Sequence, residues 1–396
     1  MQLCGDPCGH GPERSQGPWL ALGGSMVRYH HANRGLFQLG HDKCYQDVDS
    51  PKMRRLPVLL CLCLAALSGC SSDEEAAAPA PPNVTVVTDL SQSFDCTARN
   101  CLAKYRSFVT DHAQYAHPRP QDTVLAELAA IEAEPLPPDL QLSQEALRTQ
   151  IIEALNVGFM LDGLDARPLQ VTIFAETEDA GVTSRRLIFT DPLVGEFEAL
   201  QLEPAGNQHV PAIIGLHGHF DSPTIFANKF LGAALAAEGY LVIMPQFRAM
   251  NCFGPEDEIS RTLISGGFHL MAMRVYETLL LEKYLRSLDR VDARHIGILS
   301  HSGGSSTANL VVHLTTGIAA QVTDYYVDWR DRCVGPPFNL PVHCETVPGL
   351  FPLSTTFPDD RSAPLPRLSI AYAENGFAND ASAIRDFFAT NLRGGG

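Results

Sequence analysis

Two rhythms of apolar residues divide this chain. Between Val84 and about Pro168 the spacing is mainly helical: Thr123–Glu132 and Ser143–Leu161 carry apolar residues at i, i+3 and i+4, and Pro135-Leu136-Pro137-Pro138 breaks them apart. Strand-like stretches follow at Gln170–Glu176, Arg185–Thr190 and Gly195–Leu202; in the last, Phe197, Ala199 and Gln201 alternate with Glu196, Glu198 and Leu200. From Pro211 short apolar runs alternate with helical stretches. The runs are Ala212–Leu216, Tyr240–Met244, Ile296–Leu299, Gln321–Val327 and Arg367–Ala373; the helices are Phe230–Glu238, Gly267–Leu288 and Ala381–Leu392. A continuous apolar run suits a parallel strand covered on both faces. The alternation predicts an α/β fold: a doubly wound, mostly parallel sheet with an N-terminal helical extension.

The first 52 residues differ from the rest, being rich in Gly, His and Cys without either rhythm. Met53 then opens MRRLPVLLCLCLAALSGC, with a positive Arg54-Arg55, an apolar core from Leu56 to Leu67 and a small-residue end. That core is too short to span a bilayer as a helix and reads as a secretory signal. Leu67-Ser68-Gly69-Cys70 resembles a bacterial lipobox, which implies lipid attachment at Cys70 and, with Ser71 next, an outer-membrane destination in the cell envelope. The expected organisation is an upstream extension from an early start (1–52), a signal peptide (53–69), a tether without regular structure (70–93, with the Ala/Pro-rich Ser71–Asn83), a helical segment (94–168) and the α/β domain (169–396).

Composition narrows the partners. The 396 residues are 45% hydrophobic, enough for a sizeable core, and the net charge of −16 argues against nucleic acid. Export would permit disulfides, and the pairs nearest in sequence are Cys96 with Cys101 and Cys333 with Cys344; Cys252 is left over. No spacing suits a metal site or calls for a cofactor.

The chemistry concentrates at Ser300-His301-Ser302-Gly303-Gly304, which follows the Ile296–Leu299 run and precedes a helix-compatible segment. A serine between a buried strand and a helix is held clear of the backbone in a sharp turn, with helix N-terminal amides beside it. Ser302 is the candidate nucleophile, and a serine hydroxyl needs a neighbouring base. Upstream, Leu216-His217-Gly218-His219 follows another strand and suits an oxyanion loop. Its N–H near His219 or Phe220 would act with that of Gly303. His301 suits a packing or orienting role better than that of a base. Arg248 could reach the pocket, although a structural ion pair is the commoner fate of such a residue.

These pieces, VPAIIGLHGHFDS, the segment ending in HIGILSHSGG, HCETVPGL and SAPLPRLSIAYAENGFAND, resemble the α/β-hydrolase superfamily, and within it bacterial dienelactone hydrolase and acetyl xylan esterase relatives. The resemblance runs from about Arg185 to Leu392. It implies a carboxylic ester as small-molecule substrate, cleaved through an acyl-enzyme, and a catalytic acid at Asp380, with Glu374 as alternative and Asp324 or Asp328 less favoured. The family's base lies beyond the last helix, where this chain stops, so a C-terminal truncation is expected. Among His313, His343 and His269, His343 has the best claim to replace it. The competing expectation is a catalytically inactive surface lipoprotein that binds a ligand or partner with the same fold.

Overall fold

Leu216, Ser300, Thr323 and Ser369 stand level across four neighbouring parallel strands, and each is the last residue of its strand. The residues that follow, His217, His301, Asp324 and Ile370, therefore leave the sheet along one edge. The register follows from burial, since a slip of one residue would turn every apolar side chain to the opposite face. The structure, a computed structural model, describes residues 82–93, 102–118, 120, 123–124, 126–127, 129–130, 142–206, 208–250, 256–324, 345, 347–353 and 364–393.

The strands are β1 (Val84–Thr88), β2 (Leu169–Asp179), β3 (Val182–Asp191), β4 (Gly195–Pro204), β5 (Val210–Leu216), β6 (Leu241–Pro245), β7 (Val291–Ser300), β8 (Ala320–Thr323) and β9 (Arg367–Ser369). They form one sheet in the order β1-β2-β3-β4-β6-β5-β7-β8-β9. Strands β2, β3, β4 and β6 pair antiparallel in succession, whereas β6, β5, β7, β8 and β9 run parallel. The helices are α1 (Leu102–Asp111), α2 (Gln144–Leu155), α3 (Gly158–Leu161), α4 (Pro223–Lys229), α5 (Gly232–Ala237), α6 (Glu256–Ser265), α7 (Leu270–Arg286), α8 (Gly303–Val311) and α9 (Ala381–Leu392).

Strand periodicity splits the core in two. Ala212, Ile214 and Leu216 of β5 join the cluster that holds α7 and α8, while Ile213 faces the cluster that holds α4, α5 and α9. Strand β6 divides likewise, Leu241 and Ile243 to one face and Val242 and Met244 to the other. A fully buried Ile or Leu contributes about 1.5–3 kcal/mol over an exposed one, so central strands buried on both faces set the register firmly.

Several expected boundaries move. Val84–Thr88, expected within the tether, is a strand paired parallel with β2. The single helix expected over 143–161 breaks at Asn156, which takes a left-handed φ of 50° and donates from Nδ2 to the carbonyls of Tyr115 and Gly267. The helix expected over Phe230–Glu238 is observed as Gly232–Ala237, entered through Leu231 at φ 67°; a separate short helix, Pro223–Lys229, precedes it, capped by Ser222, whose hydroxyl accepts from the Ile225 N–H, with Pro223 in its first turn. The long helix begins at Leu270 rather than Gly267, because Gly267 sits at φ 79° hard against the His117 backbone, where only glycine fits. The N-terminal helices pack on the sheet's helical layer, Phe108 meeting Phe268 edge-on at 5.3 Å.

Among the described residues no helix is long and apolar enough to cross a membrane. Cys70, Cys96, Cys101, Cys252, Cys333, Cys344, Asp328 and His343 lie outside the described residues.

Candidate active site

Ser302 is the first residue past β7 and His301, and it caps α8 with φ 51° and ψ −120°. Such a conformation costs a non-glycine residue on the order of 1–3 kcal/mol and persists only where the surroundings hold it. Three contacts do so. The His301 N–H donates to the Leu216 carbonyl at 3.0 Å, the Gly304 N–H to the His301 carbonyl at 2.9 Å, and the Ser302 N–H to Oδ1 of Asp324 at 2.9 Å.

Asp324 leaves β8 beside the elbow and is almost completely buried. Its Oδ2 accepts from Nδ1 of His301 at 2.6 Å and from the Ala373 N–H at 3.1 Å, and Oδ1 also accepts from the Ser305 hydroxyl at 3.2 Å. One carboxylate thus ties the elbow, the first turn of α8 and the segment after β9. His301 is stacked between Phe230 (4.2 Å) and Tyr372 (5.3 Å), and its Nε2 lies 3.7 Å from Asp221. Both its nitrogens face carboxylates.

The loop after β5 closes over the elbow. A Cβ on Gly218 would stand 2.7 Å from the Ser302 Cβ, and one on Gly304 would collide with the carbonyl oxygens of Leu216 and, at 2.8 Å, His217. Bare α-carbons at both positions let the two backbones touch. Among the described residues the N–H groups of Gly303 and Phe220 have no acceptor. Phe220 has φ 65° and its side chain is 82% exposed, with Tyr372 54% exposed.

His217 is fixed elsewhere. Its Nδ1 donates to the Gly218 carbonyl at 2.9 Å and its Nε2 accepts from the Phe247 N–H at 3.3 Å. Burial pulls its imidazole down to about 4, so it is neutral. His219 turns instead toward the elbow. A Cβ on Gly303 would stand 3.0 Å from both Nδ1 and Cε1 of His219, and 2.8 Å from Oε1 of the buried Glu345. Nε2 of His219 lies 3.5 Å from Oε1 of Glu256, which also accepts from Nη2 of Arg274 at 2.5 Å. Against the opposing pull of burial, Arg274 and then His219 hold the Glu256 carboxyl well below the usual range. Arg274 is buried in α7, over the Phe247 ring.

The other expected residues fall as follows. Asp380 ends a short helical turn before α9, and Glu374 is exposed, its carbonyl accepting from Nζ of Lys229 at 2.6 Å. Neither carboxylate meets a histidine among the described residues; Asp324 takes the place beneath the elbow. His313 pairs through Nδ1 with Oε1 of Gln144 at 3.1 Å, on the α2 side, and His269 caps α7. Arg248 is structural: it is buried, paired with Glu277, and donates to the Val194 carbonyl at 2.6 Å. No group of three His, Cys, Asp or Glu side chains among the described residues could hold a metal. The sequence patterns assign no role to Glu256 or Arg274, and none to Glu345, although it lies within HCETVPGL; the acidic first turn of α6 is the one visible signal for Glu256.

This arrangement, a strand–serine–helix elbow on a mostly parallel sheet, is the α/β-hydrolase fold. A solved structure agrees on the fold, and others bear a weaker likeness. A Bacteroides fragilis NCTC 9343 protein assigned as an acetyl xylan esterase is 18% identical with a TM-score of 0.50, over 71% of this chain and 83% of that one. The acetyl xylan esterase from Paenibacillus sp. R4 is 12% identical at TM-score 0.47, over 69% and 100%. Acetyl xylan esterase 1 from Thermoanaerobacterium sp. JW/SL YS485 is 12% identical at TM-score 0.42, over 68% and 98%. No family model matches, and no curated protein does.

Proposed function

We propose that this protein is a serine hydrolase that cleaves carboxylic esters through an acyl-enzyme on Ser302. The observation that carries the reading is the strained φ of Ser302, held by Asp324 and by glycine contacts at the head of α8. Strain of this kind stabilises nothing by itself and marks a site where a side chain must be presented. In the proposed reaction the Ser302 hydroxyl attacks the ester carbonyl, and the N–H groups of Gly303 and Phe220 receive the oxyanion. Asp324 and His301 position the turn without touching substrate. The nearest esters to try are acetylated carbohydrates, the substrates named for the solved relatives above. The N-terminal pattern adds the proposal that a lipid on Cys70 attaches the enzyme to the cell envelope.

A fluorophosphonate probe and p-nitrophenyl acetate test the reaction. The wild type is expected to take up the probe and turn over the ester, and Ser302→Ala to lose both, with hydrolysis falling on the order of 10⁴-fold or more. Undiminished labelling of Ser302→Ala would exclude this serine as the reactive group. Palmitate labelling that survives Cys70→Ala would refute the lipid site.

A further inference from the structure

We propose that Asp221 is a positioning residue for the oxyanion site: through His301 it locks the strained backbone of Phe220 to the elbow that carries Ser302. The proposal rests on the reading of Ser302 as nucleophile and of the Phe220 N–H as an oxyanion donor. It starts from a strain that the side chain concerned does not explain. Phe220 holds φ 65°, a left-handed backbone uncommon for a bulky residue. Such a conformation persists only where its surroundings over-determine it. The Phe220 side chain is 82% exposed, so packing of its ring does not supply the restraint. The neighbours do. On one side, Gly218 is pressed onto the elbow: a Cβ there would stand 2.7 Å from the Ser302 Cβ and 3.0 Å from Cδ2 of His301. On the other, the Asp221 N–H closes a turn on the Gly218 carbonyl at 3.3 Å, and the Asp221 side chain is buried. Phe220 occupies the third place of that turn, where a positive φ is ordinarily left to Gly or Asn.

His301 joins this turn to the elbow. Its Nδ1 meets Oδ2 of Asp324 at 2.6 Å, and its Nε2 faces Oδ2 of Asp221 at 3.7 Å, within reach of an ion pair. The ring is stacked between Phe230 and Tyr372 and is held in its plane. Asp324 also accepts the Ser302 N–H at 2.9 Å. The line Asp324–His301–Asp221 therefore reaches both strained residues of the site, Ser302 at one end and the neighbour of Phe220 at the other. Burial pushes the Asp221 carboxyl up, against the opposing pull of His301 and of Lys229 in α4. A carboxylate in so dry a place serves the groups around it rather than solvent. With that carboxylate removed, the turn can carry the Phe220 N–H away from the oxyanion. The oxyanion develops only in the transition state, so the loss falls on kcat and not on KM.

The test measures kcat and KM for p-nitrophenyl acetate in the full chain, with urea unfolding to follow the fold. It adds the inhibition constant of phenylboronic acid, whose adduct with a serine places an anionic centre where the oxyanion forms. Asp221→Ala should lower kcat on the order of 10²-fold, leave KM within about threefold, and weaken the boronate by a factor close to the fall in kcat. Asp221→Asn keeps an acceptor toward His301 and should recover part of both losses; it carries the test if the alanine variant does not fold. In a His301→Gln background, Asp221→Asn should change kcat by less than about threefold, because the link it depends on is already cut. If Ser302→Ala is dead while both Asp221 variants keep kcat and boronate affinity within about threefold of wild type, the inference falls and the nucleophile stands. It is equally overturned if the Asp221 variants raise KM alone, which would make the carboxylate a substrate contact. Full multiplication of the two effects in the double variant would overturn it too, since Asp221 would then act apart from His301. A wild type that neither labels nor hydrolyses overturns the hydrolase reading, and this inference with it.

Discussion

Asp324 accepts the backbone N–H of Ser302 at 2.9 Å while its other oxygen holds His301 at 2.6 Å. One side chain from β8 thus fixes both the strained residue and its neighbour. Charge-assisted hydrogen bonds in a buried site are the strong ones.

Removal of that carboxylate should be costly. Asp324→Ala leaves the Ser302 amide, the Ser305 hydroxyl and the Ala373 amide without their acceptor. A loss of about 3 kcal/mol is expected, read as a shift in the urea midpoint. Ester hydrolysis should fall with it even below the new midpoint, because the elbow relaxes. A change under about 0.5 kcal/mol would show that Asp324 does not brace the turn.

Relief of strain should have the opposite effect on stability. Ser302→Gly places at φ 51° the residue that tolerates it, and about 1 kcal/mol of extra stability is expected together with complete loss of hydrolysis. Denaturant unfolding checks the first and an ester assay the second. Equal or lower stability would mean that the turn stores no strain.

Acid should destabilise the fold through two buried histidines. Burial pulls the imidazoles of His217 and His313 down to about 4, against an ordinary 6.5. The unfolded chain then binds more protons between these values, so stability rises with pH across that window. Each group contributes about 3 kcal/mol that is fully present above pH 6.5 and lost by pH 4. Unfolding free energies at pH 7 and pH 4.5 measure the slope, and His313→Gln should flatten it by close to half. An unchanged slope in that variant would place the proton uptake elsewhere.

The central sheet was legible because burial on both faces writes continuous apolar runs, as in β5 and β6. The elbow was legible for a local reason: strand, serine and glycines are adjacent in sequence. The edge strand β1 was not, since Val84–Thr88 gains its order from β2, more than eighty residues on. The partners of the site were harder to read for the same reason, although Asp324 stood among the less favoured acids and Glu345 lay within HCETVPGL. Asp324 reaches Ser302 through the pairing of Ser300 with Thr323, Glu256 reaches His219 from α6, and Glu345 meets Gly303 from a distant loop. In the chain each is one acidic residue among 45, and nothing local separates it from a solvated charge. The helix expected over Phe230–Glu238 forms at Gly232–Ala237; what its apolar spacing did not show was the separate short helix before it, Pro223–Lys229.

The snug fit of Gly218 and Gly304 against the opposite backbone has an evolutionary corollary. The reacting geometry is written in main chain, where no side chain can be traded. Appetite for one ester or another would reside in the wet rim of Phe220 and Tyr372. On the proposed reaction, rim substitutions could change which ester fits, while a side chain at either glycine would close the elbow and end it.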